Sequence, residues 1–408
     1  MRYSYQKYLP FFILLFVFCV SGQALGQDGP TIKKDVEGAI NNVAIYGSRA
    51  TLATAEELKT FAGDAEIEFV EDKETKTWKT ATLKFTKPDR ATLTITHVVA
   101  TDDEGIKDIE GFTNFIYQEL ADGKMDAHVY GLIRQAKRSN HLYVIKADPA
   151  MPKASISFVK KFASTTGAIV FTGQEISDPN LNLLLGPGKT KSENAKLPSF
   201  KSAEMRKSES TKLLAKHELT PLASLPTIAS DEQVRLRDAK SVARRAVCLV
   251  ALAAHAESAP KFDGPAFLKK HKVWDSISPA EKAFLENPAL PDRSVVTWRY
   301  EAAYTLLWAL GKFDTHQFPD KQKKATDSIK IVLDGADDLI ANAKLRDQAE
   351  ILDQADLYYR CYWLCRDAMV KEKKMDKVSS SVVYERLYSL NWLIRYMNKE
   401  WDETVVDS

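Results

Sequence analysis

Two stretches near the end of the chain place charged side chains among tryptophans and tyrosines at helical spacing. They are Asp356–Asp367, with the sequence DLYYRCYWLCRD, and Val383–Trp392, with the sequence VYERLYSLNW. A buried charge must be paired and hydrogen-bonded, because an unpaired one costs several kcal/mol. We therefore expect these stretches to hold either a specified network of ion pairs or a binding site.

The first stretch divides into two stripes if it is helical. Its polar stripe consists of Asp356, Arg360, Trp363 and Asp367, at positions i, i+4, i+7 and i+11. Arg366 flanks that stripe. The second stripe is the face of the helix that we expect to pack against the rest of the domain. It consists of Ile351, Ala355, Tyr358, Tyr362, Cys365 and Met369.

The functional hypothesis is a pocket in which Arg360 or Arg366 holds an anionic group, and Glu301 or Asp356 orients it. Arginine suits this role better than lysine, because its guanidinium group binds oxyanions through two parallel hydrogen bonds. The structural alternative is that these pairs lock neighbouring helices, since an Asp–Arg pair at i, i+4 is common on helices. The candidate binding residues are Glu301, Asp356, Arg360, Trp363, Arg366, Arg386 and Asn391.

Common catalytic and cofactor motifs are absent from the sequence. It has no phosphate-binding P-loop, no paired-histidine zinc helix, no Gly-x-Ser-x-Gly elbow and no Gly-x-Gly-x-x-Gly turn. The seven histidines are scattered singly. Cys248, Cys361 and Cys365 are expected to be small buried side chains, because the last two are poorly placed for a disulfide and have no histidine nearby. We predict neither a cofactor nor a metal.

The first 26 residues have the three-part pattern of a secretory signal peptide. Arg2 and Lys7 precede an apolar run from Leu9 to Val20, which only Pro10 interrupts, and small residues follow up to Gly26. The run is shorter than the roughly 20 residues of a permanent membrane span. We expect cleavage near Gly26 and a periplasmic or extracellular location, with an uncleaved membrane anchor as the alternative.

Length and charge limit the remaining possibilities. About 380 residues follow the signal peptide, which suits two domains. The 57 basic and 55 acidic residues nearly balance, so the chain has no general attraction for polyanions such as nucleic acids. No later stretch is apolar enough to span a membrane, and the mature chain is expected to be soluble. Its partner is expected to be a small anionic ligand or another protein.

An α+β domain is predicted over residues 41–185, in the form of a small mixed α/β sheet with helices on one face. Polar and apolar residues alternate over 80–85 and 91–96, which predicts a hairpin, and Thr54 with Glu57 predicts a helix-capping box. Residues 168–171 are expected to be the last strand. Residues 186–204 are rich in Lys, Ser, Pro and Gly, which is typical of a solvated linker.

An all-α domain is predicted over residues 205–408. The apolar pattern predicts long helices at 231–259, 294–310, 345–369 and 380–398, and the second of these should be buried on all sides. Ser278 and Glu281 form a second predicted capping box. Six of the seven tryptophans lie in this region, which provides ample apolar area for a separate core.

Several blocks of the all-α region resemble the bacterial family DUF4272, a domain of unknown function. They include SDEQVRLR at 230–237, WDSISPAE at 274–281, WRYEAAYTLLWALG at 298–311 and the two stretches described above. The resemblance covers about residues 203–408. It implies a helical domain, and the family has no agreed catalytic or binding residues to transfer.

Together these patterns predict an exported binding or interaction protein without enzymatic activity. The alternative is a hydrolase-like enzyme that uses Glu301 or Asp356 as a general base.

Overall fold

The first half of the chain forms an eight-stranded sheet in which all pairs of neighbouring strands are antiparallel. The computed structural model describes residues 42–86, 90–119, 125–149, 151, 153–258, 261–286 and 293–406, so the predicted signal peptide lies outside the described residues. The strands are β1 (Asn42–Gly47), β2 (Glu66–Glu71), β3 (Trp78–Phe85), β4 (Ala91–Val99), β5 (His141–Asp148), β6 (Ala168–Phe171), β7 (Ile176–Ser177) and β8 (Leu183–Leu185). Their spatial order is β2-β3-β4-β5-β1-β6-β7-β8.

Helices cover both faces of this sheet, so the prediction of helices on one face was wrong. The helices are α1 (Ala55–Ala62), α2 (Asp103–Gln118), α3 (Ala127–Lys137) and α4 (Lys153–Thr165). On β1, Val43 and Ile45 belong to the apolar cluster of α1 and α4, whereas Ala44 and Tyr46 belong to that of α2 and α3. Both faces of β1 are apolar, and a strand of this kind needs cover on each side.

The region predicted as a solvated linker is partly packed against the sheet. Ala195 is buried, and Leu197 packs against the cluster of α2 and α3. The backbone amide of Lys196 donates to the carboxylate of Asp178 at 3.1 Å. Residues 168–171 are not the last strand, because β7 and β8 follow them. The next helix, α5 (Lys201–Lys216), begins inside the predicted linker.

The second half of the chain is helical, which confirms the α+β fold class with an all-α C-terminal part. Its central helix α10 is buried on all sides from Tyr300 to Ala309, as predicted, and Gly311 follows with φ of 72°. Within the described ranges, no helix is long and apolar enough to cross a membrane. The helices are α6 (Ala239–Ser258), α7 (Gly264–Lys270), α8 (Pro279–Glu286), α9 (Arg293–Val296), α10 (Arg299–Ala309), α11 (Ala325–Ala341), α12 (Gln348–Val370) and α13 (Ser380–Leu393), with 3-10 turns at Trp274–Ser276, Tyr396–Asn398 and Trp401–Glu403.

Three predicted helices are shorter than expected or interrupted. The helix predicted from residue 231 begins at Ala239, since the amide of Arg237 donates to the carbonyl of Leu393 and Asp238 caps the first turn through the amide of Ser241. The helix predicted over 294–310 is broken into α9 and α10. The last helix ends at Leu393 instead of residue 398.

Hydrogen bonds join the sheet to the helical part close to where β1 ends. The amide of Ala50 donates to the carbonyl of Glu232 at 2.8 Å, and the side chain of Gln233 donates to the hydroxyl of Ser48 at 2.7 Å. The side-chain amide of Asn140 donates to the carbonyl oxygens of both Ser48 and Gln233. These contacts form one edge of a cleft between the two parts.

Candidate functional site

Asp356 and Arg360 form a fully buried ion pair within α12. Nε and Nη2 of Arg360 each donate to one carboxylate oxygen of Asp356 at 2.7 Å, and both side chains are 0% exposed. The first half of the polar stripe is therefore as buried as the apolar stripe beside it, whereas Asp367 at its end is 31% exposed. At the far end of the apolar stripe Met369 is exposed as well.

Glu301 and Arg386 form a second buried pair, which joins α10 to α13. Nε of Arg386 donates to Oε2 of Glu301 at 2.8 Å, while Oε1 accepts from the backbone amide of Lys323 at 2.7 Å. Nη1 of Arg386 also donates to the hydroxyl of Tyr358 and to the carbonyl of Gln317. These contacts fix the packing of α10, α12 and α13 against one another.

The other predicted site residues do not join these pairs into one pocket. Arg366 is exposed and donates to the hydroxyl of Tyr362 at 3.3 Å. The indole nitrogen of Trp363 is buried without a described partner. The side-chain amide of Asn391 donates to the carbonyl of Val405. The seven residues are thus divided between two buried pairs and three separate positions.

Glu301 also borders a small cavity of about 270 Å³. Glu257 and Tyr300 line it, and the hydroxyl of Tyr300 donates to the Glu257 carboxylate at 3.0 Å. Two carboxylates beside the single cation of Lys323 make this cavity unsuitable for an anion.

A much larger cavity of about 790 Å³ lies between the sheet and the helical part. Its walls come from α2, the end of α3 and the start of β5 on one side, and from residues 228–236 and 394–399 on the other. Of the seven predicted site residues, Asn391 alone is among those lining it. We call this cavity the interdomain cleft.

Basic side chains outnumber acidic ones in the interdomain cleft. The two acidic residues are Glu110 and Glu403, and Glu403 lies 3.8 Å from the ammonium group of Lys399. The cleft therefore has an excess of positive charge, although the whole chain is almost neutral. The six basic residues are Arg134, Lys137, Arg138, Arg235, Arg395 and Lys399.

Arg134 and Arg138, one turn apart at the end of α3, have no carboxylate partner in the described part of the chain. Arg134 is 6% exposed, and its Nη1 donates to the hydroxyls of Tyr130 and Tyr359 at 3.2 and 2.7 Å. Arg138 is half-buried, and its Nη2 donates to the carbonyl of Thr227. The Nε atoms of both arginines and the buried hydroxyl of Ser139 lack a described partner.

The charges on these two arginines oppose each other. Burial, followed by the charge of Arg134, lowers the pKa of Arg138 to about 10. The negative end of the α3 dipole offsets part of this cost, but a helix dipole is equivalent to only about half a charge. The cleft wall consequently retains positive charge that an anion can neutralise.

The opposite wall contains a left-handed segment of backbone. Arg395, Met397 and Asn398 have φ angles of 53°, 55° and 50°. This conformation costs roughly 1–2 kcal/mol in arginine or methionine and less in asparagine, so the surrounding structure must hold the segment in place. Arg237 does this, because its guanidinium group donates to the carbonyl oxygens of Trp392 and Lys399, on either side of the segment.

Two neutral histidines lie beside the cleft. His141, which lines it, donates from Nε2 to the carbonyl of Ala50 at 3.3 Å, and its Nδ1 lies 3.0 Å from Nε2 of His97. Burial lowers the pKa of each ring to about 4, and in His141 the neighbouring ring adds to this effect. The basic character of the cleft at neutral pH therefore comes from arginine and lysine.

The sequence contained one local signal for this site. Residues 134–141 read RQAKRSNH, with three basic residues in five positions at the end of an amphipathic helix. Such a run is ordinarily a solvated helix end, so it does not by itself indicate a binding site. Its contact with Tyr359 spans 225 positions and has no local sequence signature.

The fold and the cleft define a two-part protein, an antiparallel α+β sheet unit followed by a helical unit. Residues 206–404 match the family described as "Domain of unknown function (DUF4272)", so the helical part of the chain carries this domain. No curated protein and no solved structure matches the chain.

Proposed function

We propose that this protein binds a small anionic ligand in the interdomain cleft. The observation that supports this proposal best is the pair Arg134 and Arg138, two neighbouring cations without a described carboxylate partner at the wall of a large cavity. The volume of about 790 Å³ falls within the range of about 300–1,000 Å³ that is typical of small-molecule sites. An anion would neutralise a charge that the protein itself leaves uncompensated.

The contacts of the acidic residues favour binding over the hydrolase-like alternative. A general base needs a carboxylate oxygen that is free to accept a proton from substrate or water. Both oxygens of Asp356 accept from Arg360, and those of Glu301 accept from Arg386 and from the amide of Lys323. These contacts make both carboxylates structural hydrogen-bond acceptors within the helical part.

Thermal unfolding in the presence of different anions tests the proposed binding. At constant ionic strength, phosphate, sulfate or citrate should raise the Tm of the wild-type protein relative to chloride, because a ligand of the folded state stabilises it. Arg138→Gln should lose this increase. Arg366→Gln is the matched control, because it removes an exposed arginine outside the cleft and should keep it.

Two results would refute binding in the cleft. One is that none of the three anions changes the Tm of the wild-type protein. The other is that Arg138→Gln and Arg366→Gln respond equally, which would indicate general ion effects.

We further propose that the protein acts outside the cytoplasm, after removal of residues 1–26. The support for this is the pattern of Arg2, Lys7 and the apolar run that follows them. Cell fractionation with N-terminal sequencing should find a chain beginning near Gln27 in the exported fraction. An intact chain that remains in the cytoplasm would contradict this proposal.

A further inference from the structure

We propose that the ligand of the interdomain cleft is a phosphomonoester with an apolar body, and that it is held by residues from both parts of the chain. This inference rests on the proposed function and specifies the class of anion. It is drawn from three features of the cleft: the number of uncompensated charges, the distribution of hydrogen-bond donors and the apolar residues among them.

The number of uncompensated charges favours a doubly charged group. Arg134 and Arg138 both lack a described carboxylate partner. A monocarboxylate can neutralise one of these charges, whereas a phosphomonoester carries about −1.5 to −2 at neutral pH. Each arginine also has a buried Nε without a described partner. The other contacts of Arg134 are to tyrosine hydroxyls and rings, which carry no full negative charge.

The distribution of donors favours a tetrahedral group over a planar one. Lys137 and Arg138 come from the sheet part, while Arg235 and Arg395 come from the helical part, and all four line the same cleft. Arg235 and Arg395 are exposed, and Arg138 is half-buried, so their side chains are accessible. Three phosphoryl oxygens can accept from donors on different sides, whereas the two oxygens of a carboxylate lie in one plane.

Apolar residues from both parts line the same cleft. Ile106 and Ile109 lie on α2, and Ile394 and Met397 lie on either side of Arg395. Ile106 is 41% exposed, which is high for a large apolar side chain. A ligand with an apolar body would cover Ile106 while its phosphoryl group meets the arginines. A bare inorganic ion would leave Ile106 in contact with water.

Isothermal titration calorimetry with four probes at constant ionic strength tests this inference. The probes are hexyl phosphate, hexanoate, inorganic phosphate and hexanol. We expect hexyl phosphate to bind about tenfold or more tightly than hexanoate, because it adds at least one charge-assisted hydrogen bond. It should also bind more tightly than inorganic phosphate, because its chain buries apolar surface. Hexanol should not bind measurably.

Two variants show whether the selectivity arises from the cleft. Arg138→Gln should reduce the preference for hexyl phosphate over hexanoate to about threefold or less. This variant leaves one of the two arginine charges in place, so a doubly charged phosphate group has little advantage over a singly charged carboxylate. Arg395→Asn provides an independent measurement from the opposite wall, since its side chain is exposed and asparagine tolerates left-handed backbone. It should weaken hexyl phosphate about tenfold. Circular dichroism spectra equal to that of the wild type establish that both variants are folded.

The possible outcomes separate this inference from the broader proposal. If hexanoate binds as tightly as hexyl phosphate, the phosphomonoester inference is refuted and the proposed anion binding stands. Equal binding of inorganic phosphate and hexyl phosphate refutes the apolar body. If no anionic probe binds, both proposals fail.

A second experiment applies if hexyl phosphate binds. Co-sedimentation with phosphatidic acid vesicles would identify a lipid as the source of the phosphate group, and its absence would identify a soluble ligand.

Discussion

Replacing Asp356 by asparagine should destabilise the protein by about 3–5 kcal/mol, because it leaves the Arg360 guanidinium buried without a counter-charge. The structure places this pair at the severe end of that range. Both side chains are 0% exposed, both carboxylate oxygens accept hydrogen bonds at 2.7 Å, and Nη1 of Arg360 already lacks a described partner. Water therefore cannot replace the lost acceptor.

The same helix provides a matched control. Asp367 and Lys371 are also spaced i, i+4, and their charged atoms lie 2.8 Å apart. Their side chains are 31% and 52% exposed, so solvent screens the interaction. Asp367→Asn should cost only about 0–1 kcal/mol. The difference between the two substitutions thus reports mainly on burial, since the substituted residue and the spacing are the same and only the cation differs, Arg360 in one pair and Lys371 in the other.

Urea unfolding followed by tryptophan fluorescence measures both costs. Six of the seven tryptophans lie between residues 274 and 401, so the signal reports mainly on the helical part. The double variant Asp356→Leu with Arg360→Met should recover most of the lost stability, because apolar residues of similar volume can replace a buried ion pair. A cost below about 1 kcal/mol for Asp356→Asn, or a double variant less stable than the single one, would refute the structural role of this pair.

Two further predictions concern buried titratable groups. The folded-state pKa of about 4 for His97 and His141 lies below the ordinary value of 6.5, so the unfolded chain takes up protons first as the pH falls. The stability that the neutral histidine pair contributes should be fully present above pH 6.5 and decrease towards pH 4. Urea unfolding of His97→Gln should show a smaller decrease over this range than the wild type. Burial raises the pKa of Cys365 to about 11 from the ordinary 9.0. Iodoacetamide should therefore modify this thiol about tenfold more slowly in the native protein than in urea at pH 8, because the smaller thiolate fraction is partly offset by the greater nucleophilicity of a thiolate with a higher pKa. Mass spectrometry follows the reaction, and equal rates would contradict the burial of this thiol.

Elements that depend on residues close together in sequence could be predicted from local patterns such as alternation and capping boxes. The hairpin of β3 and β4 follows from alternation alone, and the Thr54–Glu57 capping box is present with both of its hydrogen bonds. The Ser278–Glu281 box is present as well. Its glutamate also binds Arg245 at 2.6 Å, a contact that spans 36 positions and was not predicted.

The ion pairs, the interdomain cleft and the left-handed backbone could not be predicted from the sequence alone, because they depend on contacts between residues far apart in the chain. The sequence pattern marks the charged residues of α12 and α13 as unusual, but their distribution among separate pairs depends on how α10, α12 and α13 pack. The interdomain cleft depends on contacts such as Arg134 to Tyr359 and Arg138 to Thr227, which join different parts of the chain. The left-handed backbone at Arg395 likewise depends on Arg237, which lies far away in sequence.

Hydrogen exchange with and without saturating hexyl phosphate tests the central claim most directly, because it locates the ligand on the chain. The claim is that the interdomain cleft binds the anion and that the Asp356–Arg360 pair stabilises the fold. Binding should slow exchange in peptides covering residues 138–140 and 395–399 and leave 360–367, which does not line the cleft, unchanged. Protection of 360–367 without protection of the other two segments would place the ligand at the polar stripe of α12 and contradict the claim.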